Sequence, residues 1–213
     1  MLLFTFALSR KTKEMKKVNI VTLGCSKNTV DSESLAGQLQ GQGYEITFDS
    51  GELSDYVIIN TCGFINDAKE ESIDTILRFA EARKTGQISR LAVMGCLSQR
   101  YKSELQHEMP EVDYWYGVDD LKKIVLDFDI DWRKELLGER MLSTPKHYAY
   151  VKIAEGCDRK CSFCAIPGIR GRHISKKEDD ISRECRELVR NGVKELLLIS
   201  QDLTYYGRDI YGK

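Results

Sequence analysis

Three cysteines, Cys157, Cys161 and Cys164, fall in one short stretch, AEGCDRKCSFCAIPGIRGR, with C-x3-C-x2-C spacing. Thiolates this close in sequence can wrap a single metal centre, but three is an awkward number. A structural zinc ion takes four protein ligands, a cubane iron–sulfur cluster ordinarily takes four cysteines, and disulfides need an even count. On a four-iron cluster, three cysteines leave one iron open to a substrate. For zinc the fourth ligand would be His173 or Cys185, and Cys185 shares a helical face with Ile181 and Leu188, which points to packing. Three further cysteines, Cys25, Cys62 and Cys96, each follow a hydrophobic run and one small or polar residue. A free cysteine is often only a small buried hydrophobe, but the same context repeated at all three points to a shared pocket.

The hydrophobic runs read as strands. VNIVTL (Val18 to Leu23), YEITF (Tyr44 to Phe48), DYVIINTC and RLAVMGC alternate with helical patterns, and DYWYG predicts a short fifth strand before a helix over DDLKKIVLDF. Asn28 or Thr29 and Asn66 are the expected caps of the first two helices, and the third is expected from about Ser98 to Glu108. Such alternation predicts a parallel sheet with right-handed crossovers. In the flavodoxin-like strand order 2-1-3-4-5, the first, third and fourth strands are neighbours about 4.8 Å apart. Cys25, Cys62 and Cys96 would then converge at the carboxyl edge, where open α/β sheets bind ligands.

A charged, weakly patterned segment at 129–147 reads as a linker, and YAYVKIAEGC opens a second α/β unit. A helix over EDDISRECRELVRNG and a strand at KELLLIS follow. Residues 1–16 read as a non-native or disordered extension, with Met15 as the natural start; the apolar opening run is too short to span a bilayer and lacks the flanks of a secretory signal. A net charge of −1 and a pI near 6.3 argue against holding nucleic acid by bulk electrostatics. Seven cysteines in a chain expected to be cytoplasmic fit metal or redox chemistry better than disulfides.

With Phe163 just before its last cysteine, the C-x3-C-x2-C loop resembles the signature of the radical S-adenosylmethionine (SAM) superfamily. The resemblance implies a 4Fe–4S cluster on Cys157, Cys161 and Cys164 whose open iron chelates SAM and whose electron cleaves it to a 5′-deoxyadenosyl radical. Together with the strand-end cysteines, the pattern from about Lys17 to Lys213 is similar to the methylthiotransferases. That similarity implies a second, auxiliary 4Fe–4S cluster on Cys25, Cys62 and Cys96, from which sulfur reaches the substrate. It also implies two domains: a flavodoxin-like one at 17–128 and, at 148–213, the incomplete beginning of a radical SAM barrel. A full barrel resembles six βα units, of which this chain holds about two strands, so the chain alone is expected to be an inactive fragment.

GCSKNTVDSE (Gly24 to Glu33) and LISQDLTYYG (Leu198 to Gly207) resemble the RimO-type branch, which implies methylthiolation of an aspartate β-carbon on ribosomal protein S-12. The tRNA adenosine branch, MiaB-like, more typically reads GCQMN at the former position and is the alternative enzyme; a zinc-stabilised interaction module is the alternative outside enzymes. The same resemblance makes Glu195, in GVKEL, a candidate SAM contact beside Gln201 and Asp202 at a strand's carboxyl end, against the plainer readings of a solvated charge and a turn aspartate. RGRHISKK (Arg170 to Lys177) reads as a solvated basic loop before it reads as a SAM, ribosome or RNA contact, and none of the three histidines receives a role. Trp115 and the tyrosines beside it read as core or interface rather than as a stacking platform. A reductant such as flavodoxin or ferredoxin is the other expected partner, with neither membrane nor DNA.

Overall fold

The structure, a computed structural model, describes residues 15–52, 54–128 and 140–212. Most of the expected extension at 1–16, and residues 129–139 of the expected linker, lie outside the described residues.

Five strands form one parallel sheet: β1 (Lys17–Thr22), β2 (Glu45–Phe48), β3 (Tyr56–Thr61), β4 (Arg90–Gly95) and β5 (Tyr114–Trp115). Their order is β2-β1-β3-β4-β5, the flavodoxin-like order expected from the sequence. Central strands of a parallel sheet are covered on both faces and so read as unbroken hydrophobic runs; every residue of YVIINT in β3 is buried. Successive side chains point to opposite faces, which gives two cores. On one, Val18, Ile20, Ile58 and Met94 pack with Leu35 and Leu39 of α1 (Ser26–Gln40) and Ile124 of α4 (Leu121–Asp127). On the other, Val57, Ile59, Leu91 and Val93 meet Ile76 of α2 (Asn66–Lys84) and Leu97 and Leu105 of α3 (Cys96–Glu108), with Trp115 in the same core.

The helix starts differ from expectation. Cys25 and Ile65 occupy the N-cap positions of α1 and α2, and α3 begins at Cys96 itself. The turns out of β1 and β4 are shorter than the sequence suggests because Gly24 (φ 94) and Gly95 (φ 99) reverse the chain at once. Asn28, freed from capping, is fully buried and used elsewhere.

In the second unit β6 (Tyr148–Lys152) pairs in parallel with β9 (Glu195–Ile199), and the crossover helix α6 (Glu178–Arg190) buries Leu188 against Ala149 and Val151. Cys185 packs at the margin of this core, as its helical spacing suggested. Between β6 and α6 the chain makes an excursion closed by the antiparallel pair β7 (Ala154–Glu155) and β8 (Ile174–Ser175), with α5 (Ile166–Arg170) inside it. The carboxyl end of β9 leads into a single 3-10 turn at Leu203–Tyr205 and then α7 (Arg208–Tyr211). The described end of the expected linker is anchored to both units. Arg140 lies buried between Glu33 and Glu184, and both the amide and the hydroxyl of Ser143 donate to Glu33 Oε1.

One ion pair ties the sheet's far end to its helices. Arg83 donates to both oxygens of Asp113 at 2.8 and 2.9 Å, and Asp113 Oδ2 also accepts from the Leu91 amide at 2.8 Å. Burial works against the Asp113 carboxylate, but these donors outweigh it and hold its pKa below 3.8. A carboxyl whose pKa falls on folding stabilises the fold fully above its unfolded value and loses that contribution as pH drops through its folded value. Asp113→Asn is therefore expected to lower the urea midpoint at pH 7, with the gap from the parent closing below pH 3.8. A gap that persists unchanged into acid would show that the ionised form contributes nothing.

Candidate functional site

The register brings the ends of β1, β3 and β4 level: Thr22 lies beside Asn60, and Thr61 beside Gly95. The chain therefore leaves three neighbouring strands at Cys25, Cys62 and Cys96 on the same edge. An adjoining glycine makes room at each point. A Cβ on Gly24 would lie 2.6 Å from Cys62 Cβ and 3.0 Å from its Sγ. A Cβ on Gly95 would meet Asn60 Oδ1 at 2.5 Å, and one on Gly63 would meet the Leu97 backbone at 2.7 Å. The Asn28 side chain braces two of these exits, donating from Nδ2 to the carbonyls of Leu23 (2.7 Å) and Thr61 (3.1 Å).

The excursion between β7 and β8 carries the other three cysteines. The Cys157 amide donates to the Gly171 carbonyl, and Gly156 (φ 70) passes so close that a Cβ there would lie 1.9 Å from the Arg172 carbonyl oxygen. Phe163 stands almost fully exposed beside Cys164. All six cysteines line one open cavity of about 1360 Å³. Lys27, Phe64, Ile65, Arg159, Ile166, Gln201 and Asp202 also contribute to its wall. Cys96 is the buried member; burial pushes its thiol pKa up, and the Arg170 guanidinium works against that rise.

The donor set suits iron–sulfur chemistry: six thiols, as two triads, meet across one cavity. Among the described residues no three His, Cys, Asp or Glu side chains are grouped to hold a single metal ion. The candidate fourth zinc ligands lie elsewhere, since His173 Nε2 is 3.0 Å from Ser175 Oγ and Cys185 packs against the α6 core. Polar groups suited to a small polar ligand also face the cavity. Ser200 Oγ and Gln201 Oε1 are buried without a hydrogen-bond partner among the described residues.

The other expected contacts separate. Gln201 Nε2 donates to Glu155 at 3.0 Å. Asp202 accepts from Thr204 and from Arg159 Nε (2.7 Å), bonds that hold its carboxyl below the usual range. It is thus both the turn aspartate of the plainer reading and a tie to the cysteine loop. Glu195 is exposed at the amino end of β9, opposite the end that reaches the cavity, and is not among its lining residues. A parallel strand delivers only its carboxyl end to that edge, so this position fits the solvated charge.

What the sequence reading missed is a cluster of charges behind the cavity. Lys152 Nζ bonds Asp31 Oδ1 (2.5 Å) and Glu155 Oε2 (2.6 Å), while Arg170 Nη1 reaches Glu155 (3.0 Å) and Asp31 (3.4 Å). Burial opposes the charges on Glu155, Lys152 and Arg170, but the opposite charges around them prevail: Glu155 is held at about 2, and Lys152 and Arg170 are raised. Arg170 is only 3% and His173 5% exposed, so RGRHISKK is not a solvated loop throughout; Arg172 alone of its arginines faces solvent.

Two family models match the chain: the Uncharacterized protein family UPF0004 over residues 17–117 and the Radical SAM superfamily over residues 151–211. A sheet domain matching the former precedes a unit matching the latter, and the chain resembles the N-terminal part of the radical SAM methylthiotransferases. Within that class the chain resembles the RimO type. It is 56% identical over 207 residues to the ribosomal protein uS12 methylthiotransferase RimO of Cytophaga hutchinsonii, covering 97% of this chain and 47% of that relative. The RimO of Bacteroides thetaiotaomicron is 56% identical over 202 residues (93% and 46%), and that of Flavobacterium johnsoniae 50% over 207 (95% and 47%). The chain spans about half the length of the curated relatives it matches.

Close packing at the strand exits makes a direct expectation. Gly24→Ala forces a left-handed conformation on an L-residue, at about 1–3 kcal/mol, and also drives a methyl into Cys62. Gly86 has a similar φ of +75 but nothing within 4 Å of its would-be Cβ. Urea unfolding is expected to show a larger loss for Gly24→Ala than for Gly86→Ala; equal losses would mean that contact with Cys62 is not limiting.

Proposed function

We propose that the chain is the cofactor-bearing N-terminal part of an enzyme that methylthiolates the β-carbon of an aspartate on ribosomal protein S-12. The observation that carries the reading is the meeting of two cysteine triads, one from each unit, on one cavity. Cys157, Cys161 and Cys164 hold one 4Fe–4S cluster and Cys25, Cys62 and Cys96 the other, with residues 17–128 and 148–213 as the two domains and 129–147 joining them. When bound, the clusters and SAM supply the radical, the methyl group and the transferred sulfur. The protein's own part is to hold and screen them. Gln201 and Ser200 offer free polar atoms to SAM, Asp202 keeps the cysteine loop in place through Arg159, and Phe64, Ile65 and Leu203 form the cavity's apolar wall. Glu195 takes no part.

The setting is cytoplasmic, with flavodoxin or ferredoxin as reductant. No helix among the described residues is long and apolar enough to cross a membrane.

Iron and acid-labile sulfide measured after anaerobic reconstitution test the reading. About eight irons per chain, as for two four-iron clusters, are expected to fall to about four when Cys157, Cys161 and Cys164 are all changed to Ala. Zinc without sulfide would overturn it. Substrate choice is tested separately in the full-length protein. Lys27 lines the cavity beside Cys25, so Ser26→Gln with Lys27→Met is expected to weaken modification of S-12 while cluster content holds. An unaltered preference would show that Ser26 and Lys27 do not choose between S-12 and tRNA.

A further inference from the structure

Arg170 reaches both halves of the cavity. It ends α5, the short helix after Cys164, and its side chain is 2% exposed. Nη1 bonds the carboxylate of Glu155, just ahead of Cys157, and Nη2 donates to Asn28 Oδ1 at 2.7 Å. Asn28 is the residue whose Nδ2 braces the carbonyls of Leu23 and Thr61, immediately before Gly24-Cys25 and Cys62. Ile169, the residue before Arg170, packs with Cys96, the third strand-end cysteine. Through one planar fork, then, Arg170 contacts the approach to one triad and, through Asn28, the anchorage of two cysteines of the other. Docking two units by charge alone would need only the carboxylates of Asp31 and Glu155. The contact with a neutral amide is extra, and a guanidinium offers enough directed donors to make it together with the ion pairs.

We propose that Arg170 is a positioning residue that fixes the two triads relative to each other and, as a buried cation tied to Asn28, raises the reduction potential of the cluster on Cys25, Cys62 and Cys96. The inference rests on the two-cluster reading above. Hydrogen bonds to cluster sulfurs and local charge both set such potentials. A buried positive charge favours the more negative, reduced cluster, so removing it lowers the potential. The cation on Lys152 shares the carboxylates of Asp31 and Glu155 but not the contacts with Asn28, and it serves as the comparison.

The test uses the chain with Cys157, Cys161 and Cys164 changed to Ala, in which the strand-end cluster is observed alone by redox titration followed by electron paramagnetic resonance. Arg170→Gln is expected to move the midpoint to lower potential at unchanged iron and sulfide content. Arg170→Lys keeps the charge without the fork and is expected to fall between, which also supplies a readable variant if Arg170→Gln loads poorly. Lys152→Gln is expected to move the midpoint less than Arg170→Gln. A midpoint indifferent to Arg170, or one that Lys152→Gln shifts as far, overturns its effect on the potential. Hydrogen exchange on the metal-free chain reads positioning without any cluster. Loss of protection in α1 and α5 in Arg170→Gln supports it, and unchanged protection overturns it. Failure of the parent to take up iron and sulfide would instead overturn the two-cluster reading, and the metal-free exchange would still decide whether Arg170 positions.

Discussion

Two carboxylates and two cations meet where the sheet domain and the second unit join: Asp31 on α1, Glu155 on β7, Lys152 at the end of β6 and Arg170 at the end of α5. Such groups are costly to withdraw from water, and the cost is recovered only where geometry and hydrogen bonding are good. Their value is therefore better sought in specificity than in gross stability. An apolar seam would tolerate sliding, whereas a seam of fixed donors and acceptors has one register, and that register sets how the two cysteine triads face each other. The neighbouring Glu33–Arg140–Glu184 group repeats the device at the point where the chain passes between units.

Within the sheet domain the equivalent constraint is steric. Parallel pairing levels the strand ends, but level ends alone do not create a site, because the chain must turn away from each strand without filling the space above it. Glycines at 24, 63 and 95 permit those turns at separations that any Cβ would violate. Asn28 then replaces side-chain bulk with hydrogen bonds, binding neighbouring strand exits into one rim. The close-packed glycines and the buried asparagine serve the same end: backbone that is tightly held and yet leaves the thiols unobstructed.

The second unit solves the same problem with a loop rather than a sheet edge. Its cysteines are adjacent in sequence and need no strand register to meet, but they do need a closed base. The β7–β8 pair supplies it, and the tight crossing of Gly156 under Arg172 holds the excursion shut. Asp202, arriving from the end of β9, adds a tie through Arg159. One triad is thus organised by long-range pairing and the other by local closure, and the two meet only because the charged seam aligns them.

Much of this was legible in the residues. Unbroken hydrophobic runs identified central strands because parallel sheets bury both faces, but their order is legible only in the pairing of the folded sheet. Six cysteines announced themselves by spacing and repeated context. Helix starts were misjudged at Asn28 and Asn66, since a residue type that caps well in general says nothing of how abruptly a glycine turns the chain. The carboxyl-end rule drew attention to Gln201 and Asp202, which line the cavity, whereas Glu195 could be placed only once the strand's direction relative to the cavity was known. Hardest to foresee were Asp31, Glu155, Lys152 and Arg170. A charged side chain in a polar stretch reads as solvated, because the water it must give up is visible in its chemistry and the partner that compensates it is not. Asp31 and Arg170 stand 139 positions apart. Sequence by itself determined the elements and the metal-binding chemistry, through local periodicity and residue type; only the tertiary structure decided which charges are buried, because burial of a charge depends on partners that distant parts of the chain deliver.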